Sequence, residues 1–121
     1  MNSPLSATRL GAGIAVVFAA FAVAVPALAS PAHSTAAVKV TATEFKFGLS
    51  TKTVTHGSVT FTVVNKGKLA HDFKIGGKKT PMLAPGKSGK VTVTLKAGKF
   101  PYICTVPGHA AAGMKGTLVV K

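Results

Sequence analysis

The chain of 121 residues has almost no negative charge: Glu44 and Asp72 are its only acids, against fifteen Lys and Arg. It has no tryptophan, one tyrosine, one arginine and one cysteine. Each scarcity excludes something. Two isolated carboxylates give no acidic pair for acid–base hydrolysis, and no nucleophile triad can be assembled, so an enzyme is not expected. A single cysteine cannot form an internal disulfide framework. Arginine is confined to Arg9, so the positive charge lacks the side chain that grips phosphate and guanine in bidentate fashion. The lysines are scattered along the chain rather than gathered into basic runs, which sets nucleic-acid binding aside. What is left is a strongly positive, solvated surface, suited to steering toward acidic partners or anionic envelope polymers.

Most of the apolar excess sits at the start. Residues 1–29 have the three parts of an export signal: a polar start ending in Arg9, an uncharged apolar stretch from Leu10 to Val25, and Pro26-Ala27-Leu28-Ala29 ahead of the cut. An uncleaved anchor is the competing reading, but a spanning helix needs about 20 apolar residues, and Pro26 followed by small residues favours cleavage. No cysteine stands near the cut to take a lipid. The expected product runs from Ser30 to Lys121, exported to the periplasm or cell envelope, with no transmembrane span.

Residues 30–37 are small and polar without periodicity and read as a flexible leader, leaving one domain over 38–121. Within it apolar residues alternate with Thr or Lys in Val38-x-Val40-x-Ala42, Phe45-x-Phe47, Val59-x-Phe61-x-Val63 and Val91-x-Val93-x-Leu95, the period of half-buried strands. Asn65-Lys66-Gly67, Gly76-Gly77, Pro85-Gly86 and Pro107-Gly108 mark turns between them. No segment holds helical spacing for three turns. The expected fold is all-β, an antiparallel sandwich with Greek-key connections.

Cys104 is the most informative residue. A lone cysteine in an exported chain dimerises, lies inert in the core, or binds a metal. It stands in Tyr102-Ile103-Cys104-Thr105-Val106-Pro107-Gly108-His109-Ala110-Ala111-Ala112-Gly113-Met114, where Cys, His and Met recur every five residues about a Pro-Gly turn. His71, which opens the alternation His71-x-Phe73-x-Ile75, can approach that loop from a neighbouring strand. Two imidazoles, a thiolate and a weak thioether are the donors of a blue-copper electron-transfer site. Structural zinc wants four strong donors, and methionine is not one. His33 and His56 read as surface residues, and Met82 either joins an apolar rim or closes a loop.

On these residues the chain resembles the cupredoxins, the small blue-copper proteins that include plastocyanin, azurin and auracyanin. The likeness spans the presumed mature chain, from Val38-x-Val40 through Asn65-x-Gly67 and His71 to Gly116-Thr117-Leu118-Val119-Val120. Its most specific part is Tyr102-x-Cys104-x4-His109-x4-Met114 followed by Lys115-Gly116. The resemblance implies one copper ion per chain, with His71, Cys104 and His109 as equatorial ligands and Met114 as the axial one. It also implies a Greek-key β-sandwich, an exported location and one-electron transfer between larger redox proteins. One departure stands out: plastocyanin and azurin carry Asn after the first histidine, where this chain has Asp72. That carboxylate either accepts from Thr105 to clamp the two ligand loops or pairs with a surface lysine. Small uncharged residues around His109, from Pro107 to Ala112, would let an acidic redox partner approach a monomeric carrier. The alternative is a copper-delivery protein using the same sandwich.

Overall fold

The computed structural model describes residues 11–26, 28 and 35–121. Residues 11–26 form no helix or strand and lie exposed; among the described residues no helix is long and apolar enough to cross a membrane. The remainder of the expected signal and His33 fall outside the described residues.

The period-two segments become strands. In chain order these are β1 (Thr35–Thr43), β2 (Lys46–Leu49), β3 (Thr53–Val54), β4 (Gly57–Asn65), β5 (Lys74–Ile75), β6 (Lys78–Lys79), β7 (Ser88–Leu95), β8 (Gly98–Ile103) and β9 (Lys115–Val120). They form a Greek-key β-sandwich of a four-stranded sheet, β2-β1-β4-β7, facing a five-stranded sheet, β3-β9-β8-β5-β6. Each alternation has its apolar member inside. Val38, Val40 and Ala42 of β1, Val59, Phe61 and Val63 of β4, and Val91, Val93 and Leu95 of β7 are buried, while Lys39, Lys90, Thr92 and Thr94 point to solvent. Phe73, Ile75, Tyr102, Leu118 and Val120 meet them from the other sheet. At the centre Phe61 packs on Phe73 at 5.1 Å, Phe73 stacks on Tyr102 at 5.4 Å, and Phe47 stands edge-on to Phe73 at 5.2 Å.

Three sequence expectations change. β1 starts inside the segment 30–37, because Thr35, Ala36 and Ala37 pair with Ser58, Val59 and Thr60; a strong neighbouring strand recruits residues with little strand signal of their own. The β1–β4 and β3–β9 pairs are parallel, so the sandwich is mixed rather than antiparallel. Parallel neighbours need a crossover, and the chain makes one by running through β2 and on to β3 in the opposite sheet before returning as β4. Phe45 is not in a strand: it sits in the β1–β2 turn at φ 60°, leaving Phe47 alone to face the core.

Turn chemistry follows the sequence more closely. Gly76 and Gly77, at φ 57° and 79°, form the two-residue connection of the β5–β6 hairpin, a turn that needs positive φ at both positions. Asn65 does more than mark a turn. Fully buried at the end of β4, its Nδ2 donates to the carbonyls of Leu69 and Leu83 at 2.7 and 2.8 Å, and its Oδ1 accepts from the Gly67 amide at 2.9 Å. The loop leading to His71 is thereby pegged to the sandwich.

One close approach is absolute. Gly116 lies opposite Tyr102 in the β8–β9 ladder, and a Cβ there would overlap the phenol ring. Gly116→Ala should therefore cost about 1–3 kcal/mol in urea denaturation through overpacking. An unchanged midpoint would show that the ring has room to shift.

Candidate metal centre

Three connections meet at one end of the sandwich: the β1–β2 turn, the loop between β4 and β5, and the loop from Cys104 to Met114 between β8 and β9. Main-chain bonds fix each of them. His71 exchanges two hydrogen bonds with Leu83, its amide to the Leu83 carbonyl at 3.0 Å and the reverse at 2.8 Å. The second loop is a compact run of turns in which the Met114 amide donates to the His109 carbonyl at 3.0 Å and the Cys104 amide donates to the Met114 carbonyl at 3.1 Å. Gly108 and Gly113, at φ 84° and 118°, allow the tight reversals. The Cys-x4-His-x4-Met spacing thus closes into a ring.

The side chains converge. His71 Nδ1 lies 3.1 Å from His109 Nδ1, and the Cys104 Sγ lies 4.0 and 3.7 Å from these two nitrogens. His71 and Met114 are fully buried, Cys104 is 1% exposed, and His109 keeps 9% of its surface open. A triangle with those three sides has its equidistant point about 2.1 Å from each corner, against roughly 2.0–2.1 Å for a metal–imidazole bond and about 2.3 Å for a metal–thiolate bond. Both Nδ1 atoms point into this space beside a sulfur, in a pocket open only at the His109 edge, and at most one proton can be shared between the nitrogens. A single cation satisfies all three donors at once. The residues present therefore fit a metal ion, and a soft thiolate with two imidazoles and a buried methionine at hand suits copper.

The surroundings orient the donors. Asp72, 1% exposed, accepts from the Thr105 amide at 2.6 Å and from the Thr105 hydroxyl. It clamps the residue after His71 to the residue after Cys104 and makes no lysine pair. Burial pushes the Cys104 thiol above its usual range, with the main-chain amides of Asp72 and Val106 pulling the other way. Such amide contacts at the sulfur help to tune a copper–thiolate potential.

Two residues that sequence reasoning passed over stand here. Glu44 Oε1 accepts from the amides of Lys68 and Leu69 at 2.5 and 2.9 Å, and the Leu69 and Lys68 contacts hold its carboxyl below the usual carboxylate range. The same oxygen lies 3.5 Å from His71 Nε2, a buried nitrogen with no other polar partner among the described residues. A carboxylate at Nε2 favours a proton there and leaves the Nδ1 lone pair facing the centre. Phe45, 41% exposed, stands edge-on to His109 at 5.3 Å and covers one side of that ring. Its left-handed backbone is a strained conformation for a non-glycine residue, and the only sequence signal was an aromatic residue next to one of two acids. Of the remaining candidates, His56 is exposed and bonds the Lys121 carbonyl through Nδ1 at 2.9 Å, remote from the centre. Met82 is 53% exposed beside buried Leu83, in the connection between β6 and β7.

The model of the cupredoxin-like domain family matches residues 13–120. Auracyanin-B of Chloroflexus aurantiacus is 60% identical over 42 residues, which are 34% of this chain and 18% of that protein. The match therefore spans under a fifth of that relative's length. The copper-resistant cuproprotein CopI of Rubrivivax gelatinosus is 30% identical over 119 residues, covering 79% of this chain and 72% of that one. Among solved structures, reduced auracyanin from Roseiflexus castenholzii superposes with a TM-score of 0.61 at 25% identity, covering 74% of this chain and 98% of the other.

The Asp72 clamp makes a prediction for the copper-loaded protein. Asp72→Asn keeps an acceptor for Thr105 but removes a negative charge beside the centre, so the reduction potential should rise, on the order of tens of millivolts, as Cu(II) loses electrostatic support. An unchanged potential in cyclic voltammetry would show that the charge is screened from the metal.

Proposed function

The chain belongs to the cupredoxin-like family, and from that membership and the geometry of its centre we propose that it is an exported blue-copper electron carrier holding one copper ion. The observation that carries this reading is the convergence of His71 Nδ1, His109 Nδ1 and Cys104 Sγ to within 4.0 Å of one another in a buried pocket. We assign those three as the equatorial ligands and Met114 as the axial one. Copper held there supplies a Cu(I)/Cu(II) couple, since thiolate and thioether suit the reduced ion and imidazoles the oxidised one.

The protein's part is to keep the donors still and let a partner come near. Asn65, the His71–Leu83 pair and the Asp72–Thr105 clamp leave the ligand loops little freedom to rearrange when an electron arrives or leaves. His109 provides the way out. From Thr35 onward only three large apolar side chains are exposed among the described residues: Phe45, Leu69 and Met82. Phe45 and Leu69 belong to the connections at the metal end, and Met82 precedes Leu83, the bridge partner of His71. With Pro107, Ala110 and Ala111 they make an uncharged rim on which a redox protein can settle over the His109 edge, and the lysines around it would speed the approach of an acidic partner at low salt. Neither carboxylate is left for substrate chemistry, because Glu44 and Asp72 are both held by amides. The signal-like character of residues 1–29 supports work outside the cytoplasmic membrane, in the periplasm or cell envelope.

Copper delivery is the second reading, favoured by the likeness to a copper-resistant cuproprotein. Against it stand the depth of the centre and the scarcity of methionine, with only Met82 and Met114 after the signal. The two readings part on one experiment. A carrier should give a reversible one-electron wave and retain Cu(I) against a strong Cu(I) chelator for hours. Loss of Cu(I) within minutes, with sluggish electrode exchange, would support delivery instead.

A further inference from the structure

Two clefts lie along the outer face of the five-stranded sheet, beside the ends of β8 and β9 that lead into the Cys104–Met114 loop. One, of about 310 Å³, opens where the β5–β6 hairpin parts from β8 and is walled by Lys74, Gly76, Gly77, Phe100, Pro101 and Ile103. The other, of about 400 Å³, is bounded by Pro101, Ile103, Lys115 and Thr117.

Strand register explains the charge around them. Lys74 pairs with Lys79 on one side and with Ile103 on the other, and Ile103 pairs with Lys115. Their chain neighbours Ile75, Tyr102 and Met114 are buried, so Lys79, Lys74, Ile103 and Lys115 form one outward row across four strands. Lysines directly opposite one another repel and weaken the ladder. No side-chain carboxylate relieves this: the chain's two, Glu44 and Asp72, are both engaged at the metal end. The outer face of the four-stranded sheet is built differently. There Thr60 and Thr92 share a hydroxyl hydrogen bond at 2.9 Å, and Lys39 and Lys90 are each paired with Thr62 rather than with a lysine.

We propose that the outer face of the five-stranded sheet is a docking surface for an acidic protein segment. Its carboxylates would lie over Lys79, Lys74 and Lys115, and an apolar side chain would enter the clefts beside Pro101 and Ile103. Charge complementarity selects the sign of the occupant. The apolar cleft walls between the lysines select a polypeptide with alternating character over a lipid headgroup plane, which needs charge alone. This surface is separate from the His109 rim and does not depend on electron transfer, so it can fail while the carrier reading stands, and the reverse.

The test uses the copper-loaded mature protein, calorimetry at low salt, and a synthetic peptide alternating Glu with Leu. The peptide should bind, K74Q/K79Q/K115Q should weaken it about tenfold or more, and K39Q/K90Q/K96Q, which removes the same charge from the other sheet's side, by less than about threefold. Equal losses in the two triple variants would reduce the effect to a diffuse positive field and overturn the proposal. So would equal affinity for a Glu/Ser peptide, which cannot fill the clefts, or binding only to vesicles of phosphatidylglycerol and phosphatidylcholine.

Discussion

The metal end depends on the paired hydrogen bonds between Asp72 and Thr105. His71 and Cys104 reach the centre on different loops, and the residue following each is joined to the other by this one carboxylate. Two residues further from Asp72, the Lys74–Ile103 pairing continues the same junction into the sheet. The distance between imidazole and thiol is therefore set by a short bracket of hydrogen bonds rather than by the metal alone. A buried carboxylate is costly unless its oxygens are satisfied, and here an amide and a hydroxyl satisfy them within a chain rich in lysine.

Beneath this bracket the aromatic cluster of Phe47, Phe61, Phe73 and Tyr102 fills the space between the sheets. Phe73 links core and centre: its ring lies in the core, and it follows His71 and Asp72 by two positions and one. Its amide accepts no freedom either, since it donates to the Thr80 hydroxyl at 3.1 Å. Rigidity at the centre is thus an extension of core packing, as interiors packed to crystal-like density resist displacement.

Much of this was legible in the sequence. The alternations around Val40, Phe61 and Val93 show which faces are buried, and the Cys104, His109 and Met114 spacing reports the closure of one loop on itself. His71 was legible as the companion donor because its own strand-like neighbourhood placed it beside that loop. Three things were not. Glu44 and Phe45 act on His71 and His109 only because the chain reverses after β1, and nothing local to Thr43-Glu44-Phe45 announces that meeting. Thr35–Ala37 become strand because β4 is already there to pair with them, a contact made at long range. The lysine row is invisible in the one-dimensional order of Lys74, Lys79 and Lys115, and emerges only once the register aligns them.

The account rests on one claim, that His71, His109 and Cys104 are arranged in advance around a single copper ion. Titrating the metal-free mature protein with Cu(II) and recording the visible spectrum tests it most directly. The account predicts an intense blue thiolate-to-copper band that saturates at one equivalent and is absent in Cys104→Ser. A protein that stays colourless with Cu(II), or whose band survives Cys104→Ser, would contradict it.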